Sequence, residues 1–223
     1  MTGQRLLTHL TVAALLAVGG CSTSQTNVLN AQQMPDYDGE SVVVLARSYH
    51  TGNQTESNFT DCVVNALGNG SNRINVMQSG QFIDAMFPWF EPRTAPNDIG
   101  DMPDLLANDR VAKRMRDTGV RYVVWLDGNT ERPGGGGSLS CAAGPGGAGC
   151  FGFAWWENDS DYDAAVWDLE GQKEAGNIET RVNGTSYLPA IVVPIPIIAR
   201  TRATACKDLA AQLRDFIGNA GGA

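Results

Sequence analysis

The sequence predicts a single α+β domain over residues 41–218, in which a mixed β-sheet is packed with helices and stapled by disulfides. Three observations support this fold class. Strand and helix patterns alternate between residues 41 and 126, strand patterns dominate between residues 151 and 183, and an amphipathic helix follows. With 223 residues, 43% of them apolar and 18% charged, the chain is long enough to bury one sizeable core.

The first half of this domain predicts three strands and three helices. Residues 41–47 form a continuous apolar run suited to a buried strand. In the first helix, Phe59, Cys62 and Val63 recur at helical spacing, and Gly68 supplies a stop. The predicted elements are strand 41–47, helix 58–67, strand 72–77, helix 81–90, helix 103–118 and strand 120–126.

The second half is richer in glycine and in strand patterns. The glycine-rich segment 133–152 predicts a loop. Pro189, Pro194 and Pro196 interrupt an apolar run, which favours an edge or extended segment over a central strand. The other predicted elements are strands 151–156, 163–169 and 178–183 and a last helix after residue 201.

Residues 1–20 are typical of a bacterial lipoprotein signal peptide. Arg5 is followed by a short apolar run and then by Gly19, Gly20 and Cys21, an arrangement that resembles the lipobox. Cys21 would then be diacylated, and Ser22 after it favours the periplasmic face of the outer membrane. An ordinary secretory signal is the alternative. Residues 21–40 are polar and aperiodic, so a flexible tether is predicted there.

The four other cysteines form an even set, as expected for disulfides in an exported protein. Of three possible connectivities, the sequence favours Cys141–Cys150, which closes a short loop, and Cys62–Cys206, which joins the two ends of the domain. No Cys-x-x-Cys pair occurs, and His50 is the one histidine outside the signal, so no metal site or cofactor is expected. The net charge of −8 argues against a nucleic-acid partner.

Two short motifs suggest ligands but lack the expected context. Gly144, Gly146 and Gly149 satisfy the G-x-G-x-x-G string, yet a strand-like aromatic segment follows where a phosphate site needs a helix. A calcium loop is suggested by acidic spacing, but Ala164 stands where glycine should make the turn. Whether these acidic residues bind calcium or form a solvated turn stays open; they are Asp159, Asp161, Asp163 and Glu170.

Ser138 and Ser140 lie in a glycine-rich context that invites comparison with hydrolases. The elbow string G-x-S-x-G is absent, and His50 would have to act as the base without an evident acid partner. A periplasmic hydrolase using Ser138 or the carboxylates of residues 159–163 is therefore the alternative function.

Aromatic residues cluster outside the clearest helices. Trp89, Phe90, Trp155 and Trp156, with Tyr187, either pack in the core or form a recognition surface. If they form a surface, we expect binding on the side that carries these aromatics and the 134–150 loop.

The order of elements resembles a group of envelope proteins: the curli-secretion lipoprotein CsgG, the penicillin-binding-protein activator LpoB and the N-terminal domain of TolB. The matching segments are 42–45 leading to 52–53 and 61–67, then 74–87, 111–119, 120–125 and the hairpin string 166–171. The resemblance implies the scaffold alone. Together with the predicted signal, it favours a non-enzymatic, lipid-anchored periplasmic component that binds or assembles with another envelope protein.

Overall fold

The computed structural model describes residues 22–31, 39–46, 55–70, 73–91, 94–96 and 99–218. The predicted signal peptide and Cys21 lie outside these ranges. The described chain divides into two compact units. The layered unit contains residues 24–130, 160–181 and 202–218, and the hairpin unit contains residues 22–23, 131–159 and 182–201, in each case where described.

Seven strands and five helices make up the described chain, which confirms the predicted α+β class. The strands are β1 (Ser22–Leu29), β2 (Ser41–Ala46), β3 (Asn75–Met77), β4 (Val120–Glu131), β5 (Gly135–Gly144), β6 (Gly147–Asp168) and β7 (Lys173–Pro194). The helices are α1 (Ser57–Gly68), α2 (Ser79–Ala85), α3 (Met102–Leu106), α4 (Asp109–Asp117) and α5 (Thr201–Gly218), with a 3₁₀ turn at Ile99–Asp101. None of these helices is both long enough and apolar enough to span a membrane.

The sheet is mixed, with strand order β1-β7-β6-β4-β2-β3, and β5 pairs with β6. β2 runs parallel to both β3 and β4, so that Val43 lies opposite Met77 on one side and Val123 on the other. The apolar run 42–45 is therefore buried on both of its faces, as expected for a central strand with parallel neighbours.

Helices cover both faces of the sheet in the layered unit. On one face, Val43, Val123 and Trp125 pack in a cluster with α2, α3 and α4. On the other face, Phe59 of α1 stacks on Tyr162 of β6, with ring centroids 3.5 Å apart. Cys62–Cys206 then joins α1 to α5.

Two predicted helices are shorter than expected. The predicted helix 103–118 is split because Asn108 takes an extended conformation and caps α4, its side chain accepting a hydrogen bond from the Arg110 N–H at 3.1 Å. The predicted helix 81–90 ends at Ala85, and a turn containing Pro88 follows.

The structure differs from the predicted tether over Ser22–Leu29, which forms strand β1 beside β7. Thr26 and Thr180 bring their hydroxyl oxygens to 3.2 Å, so polar side chains join this strand to its neighbour. A polar edge strand lacks the apolar alternation from which strands are predicted. Residues 32–38 of the predicted tether lie outside the described residues.

Candidate functional site

A regular β-hairpin replaces the glycine loop predicted for residues 133–152. β5 and β6 pair antiparallel from Gly135 opposite Trp156 to Gly144 opposite Gly147. The G-x-G-x-x-G string thus spans the hairpin turn and its flanks, and strand β6 follows it. Its amide groups do not stand at a helix N-terminus, as a phosphate site of that type requires.

Both predicted disulfide pairings are confirmed. Cys141 and Cys150 lie directly opposite each other across the β5–β6 hairpin, with Cα atoms 4.0 Å apart. Cys62 and Cys206 have Cα atoms 6.2 Å apart and close 144 residues of chain.

The main surface feature of the hairpin unit is a group of exposed apolar side chains. Eleven large apolar residues of the described chain are exposed, and three of these, Val28, Leu29 and Phe87, belong to the layered unit. The other eight define the apolar strip: Phe151, Phe153, Tyr187, Ile191, Val192, Val193, Ile195 and Ile198. Phe151 is 75% exposed and Ile191 is 79% exposed, so little of either side chain is covered by the described protein.

The segments that carry the apolar strip lie close together because the end of β7 folds back on itself. Tyr187 and Ile197 exchange two backbone hydrogen bonds of 2.8 Å, and the Ile195 N–H donates to the Pro189 carbonyl at 3.0 Å. The rings of Phe153 and Tyr187 lie 6.0 Å apart. A Cβ on Gly149 would stand 3.6 Å from the Val192 carbonyl oxygen, an ordinary van der Waals distance, so the start of β6 lies beside the end of β7.

No charged residue occurs in the sequence segments that build the apolar strip. Residues 133–156 and residues 182–199 contain no Asp, Glu, Lys or Arg, although these make up 18% of the chain. Exposed apolar surface without interspersed charge is typical of interaction sites. Exposing apolar area to water is unfavourable, so covering the strip lowers the free energy. Because the strip carries no charge, covering it removes no charged group from water.

The predicted aromatic surface is divided between the two units. Phe90 is 4% exposed and packs edge-on against Phe82, so it belongs to the core of the layered unit, which corrects the surface interpretation for this residue. Trp89 is half-buried against the same cluster. Trp155 and Trp156 are half-buried in the hairpin unit, beside Gly136 and Gly135 of β5.

A hydrogen-bonded cluster fixes the start of α1 in the layered unit. The Tyr162 hydroxyl donates to Glu56 at 2.7 Å, and the Thr130 N–H donates to the same carboxylate at 3.0 Å. The Thr130 hydroxyl also lies 2.9 Å from both Ser160 and Tyr162. Burial raises the pKa of Tyr162, and the nearby charge of Glu56 raises it further, so the hydroxyl stays a donor.

A second cluster explains the hairpin string around Asp168. Asp168 is 2% exposed, accepts the Glu170 N–H at 3.0 Å and lies 3.6 Å from Arg121. Arg121 also pairs with Glu40 and, at 3.3 Å, with Glu170. A Cβ on Gly171 would stand 2.8 Å from the Asp168 carboxylate, which explains the glycine. The cluster fixes a turn, a structural role that the sequence pattern alone does not reveal.

The acidic residues considered for calcium alternate along β6 instead of forming a loop. Asp159, Asp161 and Asp163 share one face of the strand, with Ser160 and Tyr162 buried on the other. Asp161 pairs with Arg181 at 3.5 Å. Burial, then the charges of nearby carboxylates, raise the pKa of Asp163. Over the described ranges, no three carboxylate, cysteine or histidine side chains converge as a metal site would require.

The structure does not bring the residues of the hydrolase alternative together. Ser138 is exposed on β5 opposite Phe153, and Asp159 lies six residues further along β6, about 20 Å away at the usual rise of a strand. His50 lies outside the described residues. One open groove of about 580 Å³ is lined by α1 and β3, including Asn65, Asn69 and Arg73, and does not contain Ser138 or Ser140.

No protein-family model matches the sequence, and no characterised protein shows significant sequence similarity to it. Among solved structures, the chain is similar to the PelC dodecamer from Paraburkholderia phytofirmans, with 13% sequence identity over 89% of this chain and 98% of that chain and a TM-score of 0.37. A point variant of the same dodecamer gives 12% identity, 89% and 99% coverage and a TM-score of 0.36. The functional argument therefore rests on the residues of the site.

Proposed function

We propose that this protein is a lipid-anchored binding or assembly component of the bacterial cell envelope, held through acylated Cys21 at the periplasmic face of the outer membrane. In this proposal the apolar strip lies against the bilayer that holds the anchor. The supporting observation is the strip itself, eight exposed apolar side chains on segments without charge. The resemblance to CsgG, LpoB and TolB and the binding of another envelope protein stay predictions.

The position of the N-terminal residues supports the bilayer as the surface that covers the apolar strip. Ser22 and Thr23, which directly follow Cys21, belong to the hairpin unit, as does the whole strip. Acyl chains on Cys21 would therefore leave the protein from the unit that carries the strip. The acyl chains and the apolar side chains inserted into the bilayer would both contribute to membrane affinity. The strip has no charged side chain that would have to leave water.

The anchor is tested by metabolic labelling with a fatty acid that carries a chemical handle. The full chain should incorporate the label and fractionate with membranes, and Cys21→Ala should lose the label. Equal labelling of the Cys21→Ala chain would show that Cys21 is not the acylated residue.

The placement of the strip is tested with a photoreactive amino acid at Ile191 in the full chain in cells, and at Phe87 as the matched control. Both positions are exposed, at 79% and 61%, but Phe87 belongs to the layered unit. We expect lipid adducts at position 191 and few at position 87. Protein adducts at position 191 would indicate that another envelope protein covers the strip, and equal lipid adducts at both positions would contradict the proposal.

A further inference from the structure

Strand β5 has one open edge. β5 pairs with β6 along its whole length, and no other strand of the described chain pairs with it. Its ten residues present about 33 Å of backbone at that edge. Nine of the ten are exposed, and Leu139 is half-buried.

The pairing of β5 with β6 indicates which backbone groups face the open edge. Cys141 and Cys150 have Cα atoms 4.0 Å apart, a separation typical of the non-hydrogen-bonded pairs of an antiparallel ladder. Residues in such pairs direct their N–H and C=O groups away from the partner strand. Leu139, Cys141 and Ala143 therefore direct theirs to the open edge, and Ser138 and Ser140 direct theirs to β6.

β5 lacks the features that normally protect an edge strand from pairing with another chain. It contains no charged residue and no proline, and its side chains are those of glycine, serine, alanine, leucine and a disulfide-bonded cysteine. Charges, prolines and bulges are the usual protection of such edges. Gly137 has a φ of 109°, outside the β region, and Ser138 to Gly144 follow it in β5. An unprotected edge of this kind can accept a further strand by backbone hydrogen bonding.

We propose that β5 pairs antiparallel with β5 of a second copy of this chain, about a twofold axis that places Ser140 opposite Ser140. Ser140 is near the middle of the strand, so this register pairs most of its length. Charge is compatible with a second copy at this edge: the chain carries a net charge of −8, so two copies repel each other overall, and an uncharged edge adds no local repulsion to this. The uncharged residues 133–156 allow two identical copies to meet without that repulsion. This inference concerns the backbone edge of β5. The Ser140 side chain itself lies directly opposite Phe151 and therefore on the same face of the hairpin as that residue of the apolar strip.

Charge substitutions at the twofold axis provide the test. Two differently tagged copies of the full chain are produced in one cell, and recovery of the second copy with the first is measured. Ser140→Lys in both copies, or Ser140→Glu in both, should reduce recovery by about tenfold or more, because like charges then lie directly opposite. Pairing one Ser140→Lys copy with one Ser140→Glu copy should restore recovery.

Controls separate this pairing from other causes of association. Ala148→Lys places the same charge on an exposed position of β6, away from the open edge, and should leave recovery unchanged. Thermal unfolding of the Ser140 variants should match the parent because Ser140 is exposed. Unchanged recovery with Lys opposite Lys would overturn the proposal. Loss that the mixed pair does not restore would overturn it too, since the edge would then bind a different partner.

A proline substitution tests the hydrogen bonds separately. Ala143→Pro removes an N–H that faces the open edge and leaves the bonds to β6 in place, so it should reduce recovery several-fold without lowering the unfolding temperature. Undiminished recovery would count against backbone pairing at this position. Lipid adducts at position 191 should persist in Ala143→Pro, which adds no charge and lies opposite Ala148, on the other face from Phe151. Loss of recovery with this variant is therefore distinguishable from failure of the proposed function.

Discussion

The layered unit and the hairpin unit use the same kinds of side chain in opposite ways. In the layered unit, Tyr162, Ala164 and Val166 of β6 are buried. In the hairpin unit, Phe151 and Phe153 lie on the same strand, also spaced two residues apart, and they are exposed. Apolar alternation therefore identifies a strand but does not determine whether its apolar side is covered. In the layered unit α1 covers Tyr162, and in the hairpin unit no described helix covers the strip.

The largest expected effect is the difference in stability between variants that lack one or the other disulfide. In the chain-entropy model, loss of Cys62–Cys206, which closes a loop of 144 residues, should lower the unfolding free energy by about 5 kcal/mol. Loss of Cys141–Cys150, which closes a loop of 9 residues, should lower it by about 2.5 kcal/mol. Denaturant unfolding of the two paired Cys→Ala variants measures both values. If loss of Cys141–Cys150 lowered the unfolding free energy as much as loss of Cys62–Cys206, loop closure would not be the main way in which these disulfides stabilise the protein.

The next effect compares one phenylalanine from each unit. Phe59→Ala removes a fully buried ring that stacks on Tyr162 and should cost about 3–5 kcal/mol of unfolding free energy. Phe151→Ala removes a ring that is mostly in water and should change stability by less than about 0.5 kcal/mol. Chemical denaturation of both variants checks the difference. Similar losses would mean that the strip is covered in the folded protein.

A smaller effect is expected from the ion-pair cluster of the layered unit. Asp168→Ala should cost about 2–3 kcal/mol, because the Glu170 N–H loses its acceptor and the partly buried Arg121 loses one carboxylate. Glu170→Ala is the matched control, since its side chain is exposed and its pair with Arg121 should contribute less than about 1 kcal/mol. Equal costs in thermal or denaturant unfolding would argue against a fixed turn at Asp168.

The smallest effect concerns pH. The pKa of Asp163 is raised in the folded state by burial, so its ionisation opposes folding at neutral pH. Asp163→Asn should therefore increase stability slightly at pH 7, by under about 0.5 kcal/mol for a solvent-screened group. The gain should disappear below the ordinary carboxyl pKa of 3.8, where the aspartate is protonated in both states. Unfolding curves of both proteins at pH 7 and at about pH 2.5 measure this difference, and a gain that persists at the lower pH would have another cause.

Much of the layered unit could be predicted from the sequence. The apolar run 42–45 identified β2, and the spacing of Phe59, Cys62 and Val63 identified α1. The Cys62–Cys206 pairing followed from the same reasoning, because helical periodicity places both cysteines on helix faces that pack together.

The hairpin unit was predicted less completely for a physical reason. Glycine has no side chain, so the period-two pattern of β5 is absent from the sequence, although the backbone pairs regularly. Asp159, Asp161 and Asp163 suggested a turn because aspartate is common in turns, but their alternation is that of a strand. The apolar strip could not be predicted, because exposure depends on whether another element covers the strand.

The claim that the exposed strip of the hairpin unit faces lipid is tested most directly by fluorescence. Cysteines introduced as Ile191→Cys and Phe87→Cys are labelled with the same environment-sensitive dye in the acylated full chain, which is then reconstituted into vesicles. The account predicts blue-shifted emission at position 191 that lipid-attached quenchers reduce, and water-like emission at position 87. Water-like emission that lipid quenchers leave unchanged at both positions would contradict the account.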